Sequence, residues 1–87
     1  MSKNSSNLEQ TLIEVRTERI VDSLTREYIK DGYRLISYDN STENGYVEVY
    51  LKHRENMNQL RITSLYHDQV INVYKNKKLN NTIRVKI

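Results

Sequence analysis

The chain has 87 residues, carries a net charge of +3 and contains no cysteine, proline, tryptophan or phenylalanine. This length is enough for one domain with a single core, and the absence of cysteine excludes both a disulfide framework and a thiolate metal site. No apolar run is long enough for a membrane span or a signal-peptide core, so we expect a cytoplasmic protein.

The first predicted element is a helix. Residues 1–7 are polar and predicted to be disordered, which leaves residues 8–87 as a single domain. Asp31-Gly32 is a predicted helix end, because glycine takes the left-handed cap conformation without strain. We therefore predict a helix over residues 18–31. Its apolar stripe at helical spacing comprises Ile20, Val21, Leu24 and Tyr28.

Residues 8–17 allow two interpretations. The segment TLIEVRT could be a short strand that leads into a helix capped by Thr17. The S-x-x-E pattern of a capping box at Ser6 and the absence of helix breakers favour one long helix instead. In that helix, three apolar residues point away from the stripe and would contact a partner, such as a second copy of the chain. These are Leu8, Leu12 and Val15.

After Gly32 the apolar residues alternate with a period of two, which is typical of strands. The predicted strands cover residues 33–38, 45–53, 59–66, 70–75 and 82–87. The links between them are short and rich in asparagine and aspartate, so neighbouring strands should pair antiparallel. The predicted fold class is α+β, with an N-terminal helix packed on a four- to five-stranded antiparallel β-meander.

The last predicted strand, TIRVKI, runs to residue 87. If it lies at the sheet edge, its unpaired backbone could add to the sheet of another chain. It could equally fold back and close the sheet.

The alternation assigns a face to each strand residue. The apolar set predicted to lie beneath the helix is Val47, Val49, Leu51, Leu60, Ile62, Ile71, Val73, Ile83 and Val85. The opposite face combines tyrosines with basic and amide side chains, and residues 46–87 hold eight basic and three acidic groups, a net charge of +5. Tyrosine rings can stack on bases while cations hold phosphates. An ordinary solvated antiparallel face has a similar composition, so both interpretations stay open.

We predict a small non-enzymatic module that binds nucleic acid through this tyrosine-rich basic face. The predicted contact residues are Tyr46, Tyr50, Lys52, Arg61, Tyr74, Lys75, Lys77, Lys78, Arg84 and Lys86. The alternative is a protein-binding regulator or accessory protein of phage or plasmid type, which would use an acidic protein surface as its partner and could act as a homodimer.

Catalytic and metal chemistry have weak support in the sequence. Arg61, Tyr66, His67 and Arg84 could furnish a small ribonuclease, but no spacing requires it and a base must be shown by geometry. His53 and His67 are the only histidines, whereas a zinc site needs three or four ligands. We expect no enzyme, no cofactor and no metal.

Overall fold

The computed structural model describes residues 2–87, with the side chains of residues 8–87. Helix α1 covers Ser2–Lys30 and is followed by one five-stranded antiparallel sheet whose strand order is the order of the chain. The strands are β1 (Tyr33–Ser41), β2 (Tyr46–His53), β3 (Gln59–Leu65), β4 (Val70–Lys75) and β5 (Lys78–Arg84), with a 3-10 turn at Tyr66–Asp68. The predicted α+β fold, a helix on an antiparallel sheet, is confirmed.

Residues 8–17 are helical and continuous with residues 18–30. The helix starts at Ser2, about one turn before the predicted capping box at Ser6. Met1 and the side chains of residues 2–7 lie outside the described part of the chain. The predicted disorder of residues 1–7 therefore stays a prediction.

The face of α1 that packs on the sheet has two threonines in it. Ile13, Thr17, Val21 and Thr25 follow one another at intervals of four residues, and all are buried. The predicted apolar residues Ile20, Leu24 and Tyr28 flank this line and are only partly buried. The sequence therefore predicted the correct face of the helix but omitted Thr17 and Thr25 from it, because threonine counts as polar in a hydropathy pattern.

The predicted inner face of the sheet is confirmed. Val47, Val49, Leu51, Leu60, Ile62, Ile71, Val73 and Val85 are buried, and Ile83 packs against them. One predicted strand residue, Tyr66, belongs instead to the 3-10 turn after β3. Its ring is fully buried in the core, and its hydroxyl contacts Glu18 on the helix and Asn40 on β1.

The bounds predicted for the last strand, 82–87, are wrong. β5 covers Lys78–Arg84 and follows β4 after a two-residue turn at Asn76 and Lys77. Both turn residues have positive φ, 53° and 70°, as expected in the tight hairpins whose twist matches that of the strands. After β5 the chain turns toward the helix, where Arg16 Nη1 donates to the carbonyl of Lys86 over 2.6 Å.

Candidate nucleic-acid interface

The candidate site is built on three neighbouring strands of the outer face. Tyr50 on β2 lies opposite Arg61 on β3, and Arg61 lies opposite Tyr74 on β4. Adjacent strands are about 4.8 Å apart, so the two tyrosines stand roughly 10 Å apart with the arginine between them. We call Tyr50, Arg61 and Tyr74 the central row.

A cleft of about 440 Å³ opens over the central row. We call it the basic cleft, because no acidic side chain is among the residues described as lining it. The lining residues are Tyr50, Gln59, Leu60, Arg61, Thr63, Tyr74 and Lys77. The strand period places the tyrosines and Arg61 on this face, and the tight turn after β4 brings in Lys77.

Arg61 makes two contacts, one with Tyr74 in the cleft and one with Glu48 outside its lining. Its guanidinium carbon lies 5.9 Å from the centre of the Tyr74 ring, within the range of a cation–π interaction. Its Nη2 lies 3.3 Å from Oε2 of Glu48, and about half of each side chain is exposed. Exposed ion pairs of this kind contribute little stability. Another anion could therefore replace the carboxylate of Glu48 while Arg61 keeps its contact with the Tyr74 ring.

Amide groups lie at the end of the basic cleft. The hydroxyl of Tyr50 donates to Oε1 of Gln59 over 3.4 Å. Gln59 pairs with Lys52 on β2, which extends the positive charge along that strand. Asn76 bonds the backbone of Gln59 from the hairpin turn, so the turn that carries Lys77 is fixed to the same end of the sheet.

Tyr46 lies apart from the central row. Its hydroxyl donates to Oδ2 of Asp39 over 2.9 Å. This hydrogen bond, and then the negative charge of Asp39, raise the pKa of Tyr46 above its ordinary value. Tyr46 lines a second, wider cleft of about 730 Å³, which shares Arg61 and Tyr74 with the basic cleft but adds the carboxylates of Glu48 and Asp68. Phosphates would meet negative charge there, so the face has a basic end and an acidic end.

The remaining predicted contact residues are distributed over both faces. Lys75 pairs with Leu60 on one side and with Lys78 on the other, which places both lysines in a row of the helix-facing side. Arg84 pairs with Val70 on the outer face, but at the opposite end of β4 from Tyr74. Lys86 follows the end of β5. Their roles as nucleic-acid contacts stay predictions.

The three predicted partner-interface residues on α1 are accessible. Leu8, Leu12 and Val15 are 67%, 45% and 40% exposed. A contact there stays a prediction.

The described residues give little support to metal chemistry. Within the described residues, no group of three or more His, Cys, Asp or Glu side chains could hold a metal ion. His67 lies 3.1 Å from its neighbour Asp68, and both are well exposed. No helix described here has the length and apolar character needed to cross a membrane.

Comparison with known proteins finds no matching family model, no matching curated protein and no matching solved structure. The geometry of the face is therefore the basis for a functional proposal. Two of its features were missed from the sequence: the amide of Gln59 and the ion pair of Glu48 with Arg61. Both depend on cross-strand register, which composition does not reveal.

Proposed function

We propose that this protein is a non-enzymatic, cytoplasmic module that binds single-stranded nucleic acid in the basic cleft. The observation that supports this most is the central row, in which a cation on β3 stands between tyrosines on the two flanking strands, β2 and β4. Unstacked bases can lie on tyrosine rings, which requires a single strand rather than a closed duplex.

Each group in the cleft has a separate task in this proposal. Tyr50 and Tyr74 are half-buried, and both line the cleft, where each ring would stack on a nucleobase. Arg61 lies between them and would hold the phosphate that links two stacked bases. Lys77 adds a second positive charge at the hairpin turn, and the Gln59 amide can bond a base edge.

Glu48 regulates the strength of this site. Its carboxylate occupies one side of Arg61 in the free protein, so an incoming phosphate has to replace it or share the guanidinium with it. The energy of the exposed ion pair is small, but the negative charge remains close to the bound phosphate. Removal of that charge should therefore strengthen binding.

The proposal is tested by fluorescence anisotropy with labelled oligonucleotides at low salt. We expect binding to single strands of RNA or DNA that weakens steeply as salt is raised, because each phosphate contact releases condensed counterions. Arg61→Ala should weaken binding and reduce the slope of log K against log salt by about 0.7, the loss of one single-strand phosphate contact. Glu48→Gln should tighten binding. No binding at about 50 mM salt, where phosphate contacts are strong, contradicts the proposal.

Two neighbouring lysines provide a matched control. Lys77→Ala removes a charge from the basic cleft, whereas Lys75→Ala removes the same charge from a position in register with Leu60, on the helix-facing side. We expect the first variant to lose more affinity than the second. Equal losses would mean that net charge, and not the cleft, drives association.

A second candidate function is protein binding by a small regulator or accessory protein. The exposed apolar residues Leu8, Leu12 and Val15 favour it, because a soluble helix seldom presents such a stripe without a use. A chain that ignores every oligonucleotide at low salt would leave this as the better candidate.

A further inference from the structure

The two edges of the sheet differ in character. β5 reads KLNNTIR and carries a lysine and an arginine at its ends, which is how edge strands avoid pairing with other chains. β1 is longer, nine residues, and all but its first and last are exposed. Three of these exposed residues are large and apolar or aromatic: Leu35, Ile36 and Tyr38, at 42%, 55% and 39%. In the described chain β1 pairs with β2 alone, so its outer edge is open.

Hydrogen bonding shows which groups on β1 point outward. The amide of Arg54 donates to the carbonyl of Gly32 over 3.0 Å, so Gly32 faces β2. Antiparallel ladders alternate, and Tyr33 and Leu35 therefore direct their backbone groups away from the sheet. Just before β2, the carbonyl of Gly45 accepts from the amide of Tyr66, so Gly45 faces β3 rather than β1. By the same alternation Val47 and Val49 also face β3. Their partners on β1, Asn40 and Tyr38, therefore direct their backbone groups away from the sheet.

A bulge at Ile36 separates these two pairs. The register with β2 shifts between Leu35 and Ser37, so Leu35 and Tyr38 both direct their side chains to the helix-facing side although three positions separate them. Arg34 and Asp39 lie on the outer face for the same reason, since they pair with Lys52 and Glu48. A bulge usually hinders edge pairing. When the bulges of two antiparallel copies of β1 lie opposite one another, the three-residue step from Leu35 to Tyr38 is the same on both strands, so their outward backbone groups stay in register.

We propose that two copies of this chain pair through their β1 strands, antiparallel and about a two-fold axis at the bulge, to form one continuous sheet. In this register Leu35 of one copy lies opposite Tyr38 of the other, and both have outward backbone groups. Arg34 lies opposite Asp39 of the other copy on the outer face. The two-fold axis produces each contact twice.

Charge complementarity favours this register and favours a second copy of the chain as the partner. Arg34 has no ion-pair partner among the described residues. Within the same residues, the carboxylate of Asp39 accepts a hydrogen bond only from the hydroxyl of Tyr46. The pair falls at a non-hydrogen-bonded position, where opposed side chains are closest, about 4.5 Å between Cα atoms. Within one chain these residues are five positions apart along an extended strand and cannot meet. Only a second copy brings them together, while Leu35 and Tyr38 cover each other on the other face.

The test is a charge exchange read by sedimentation equilibrium of the full chain. We expect the wild type to be dimeric at micromolar to near-millimolar concentrations. Arg34→Glu and Asp39→Arg should each weaken the dimer at least tenfold, since each opposes like charges twice. The double variant should regain most of the loss. Arg26→Glu, an equal reversal on an exposed part of α1, should have little effect.

The register is checked by disulfide trapping, which the absence of native cysteine makes unambiguous. A mixture of the Leu35→Cys and Tyr38→Cys chains should give a mixed disulfide under mild oxidation, because opposed Cα atoms about 5.5 Å apart are within reach. Either chain alone should not crosslink. A monomeric wild type, or a double variant no better than the singles, overturns the proposal. A Leu35→Cys chain that crosslinks to itself refutes this register.

Discussion

Thr17 lies at the centre of the helix face that packs on the sheet, and its side chain is fully buried. Its hydroxyl has no hydrogen-bond partner within the described chain. Thr25, two turns further on, is different, because its Oγ1 donates to the carbonyl of Val21 over 2.8 Å. A buried hydroxyl without a partner costs about 1–3 kcal/mol of desolvation. The unpaired hydroxyl of Thr17 therefore makes the helix–sheet contact weaker than its shape allows.

Thr17→Val should raise the free energy of unfolding by about 1 kcal/mol, since a methyl group replaces the unpaired hydroxyl in nearly the same volume. Urea denaturation followed by circular dichroism measures it. Thr25→Val is the matched control and should give a smaller gain or a loss, because the hydroxyl it removes is bonded. A destabilised Thr17→Val variant would show that the hydroxyl has a partner in solution.

At the scale of secondary-structure elements, the strands and the helix could be predicted from the sequence, but the tight turn before β5 could not. The strands are evident from period-two alternation, and the helix from its lack of breakers, because both signals are local. The start of β5 is not evident, since KNKKLNN reads as a polar loop and the usual Asn-Gly signal of a two-residue hairpin is replaced by Asn76-Lys77. A lysine at positive φ is uncommon, so the link predicted between residues 75 and 82 is too long, and the position of Lys78 on the helix-facing side was not predicted.

The turn between α1 and β1 depends on Gly32. Its φ is +101°, and a Cβ there would lie 2.8 Å from Nε2 of His53. That ring cannot move easily, because it packs edge-on against Tyr33 with 4.7 Å between centroids. We expect Gly32→Ala to lower the free energy of unfolding by about 2–4 kcal/mol, from backbone strain together with the clash.

Gly45→Ala separates the two causes. Gly45 also has a positive φ, +78°, but nothing lies within 4 Å of its absent Cβ. Gly45→Ala should therefore lower the free energy of unfolding through backbone strain alone, by about 1–2 kcal/mol. The measurement is the difference between the two variants in urea denaturation. Equal losses would mean that His53 yields to the added methyl group.

For the molecule as a whole, two tyrosines join the helix to the sheet. Tyr38 on β1 donates to Oδ1 of Asp22 over 2.8 Å, and Tyr66 reaches Glu18. Burial is the main cause that raises both pKa values, followed at Tyr38 by the hydrogen bond to Asp22 and at Tyr66 by the charge of Glu18. These links lie between residues far apart in sequence, and no local pattern predicts them.

The sign of the pH dependence follows from these shifts. The folded pKa values lie above the unfolded value of about 10, so the unfolded chain loses its phenolic protons first. The stability from these tyrosines is complete below pH 10 and is lost as pH rises through the folded values. We expect the free energy of unfolding to fall above about pH 10. In urea denaturation over the same pH range, the free energy of unfolding of Tyr38→Phe should fall less steeply with pH. An unchanged slope would contradict the role given to Tyr38.

The candidate site shows the same division between local and non-local information. Alternation correctly assigns Tyr50, Arg61 and Tyr74 to one face, and composition indicates its positive charge. The sequence does not show that Tyr46 belongs to the acidic end, because that depends on Asp39 arriving from the neighbouring strand. Register thus reduces a broad predicted surface to a cleft over three strands.

The strand order has a consequence for the speed of folding. Every strand pairs with the next one along the chain, so the sheet can grow by closing one short hairpin after another, each at a small entropic cost. Only the docking of α1 needs distant partners, such as the 48 residues that separate Glu18 from Tyr66. A fold dominated by near-neighbour contacts crosses a low barrier. The sheet should therefore form first and the helix should close over it last.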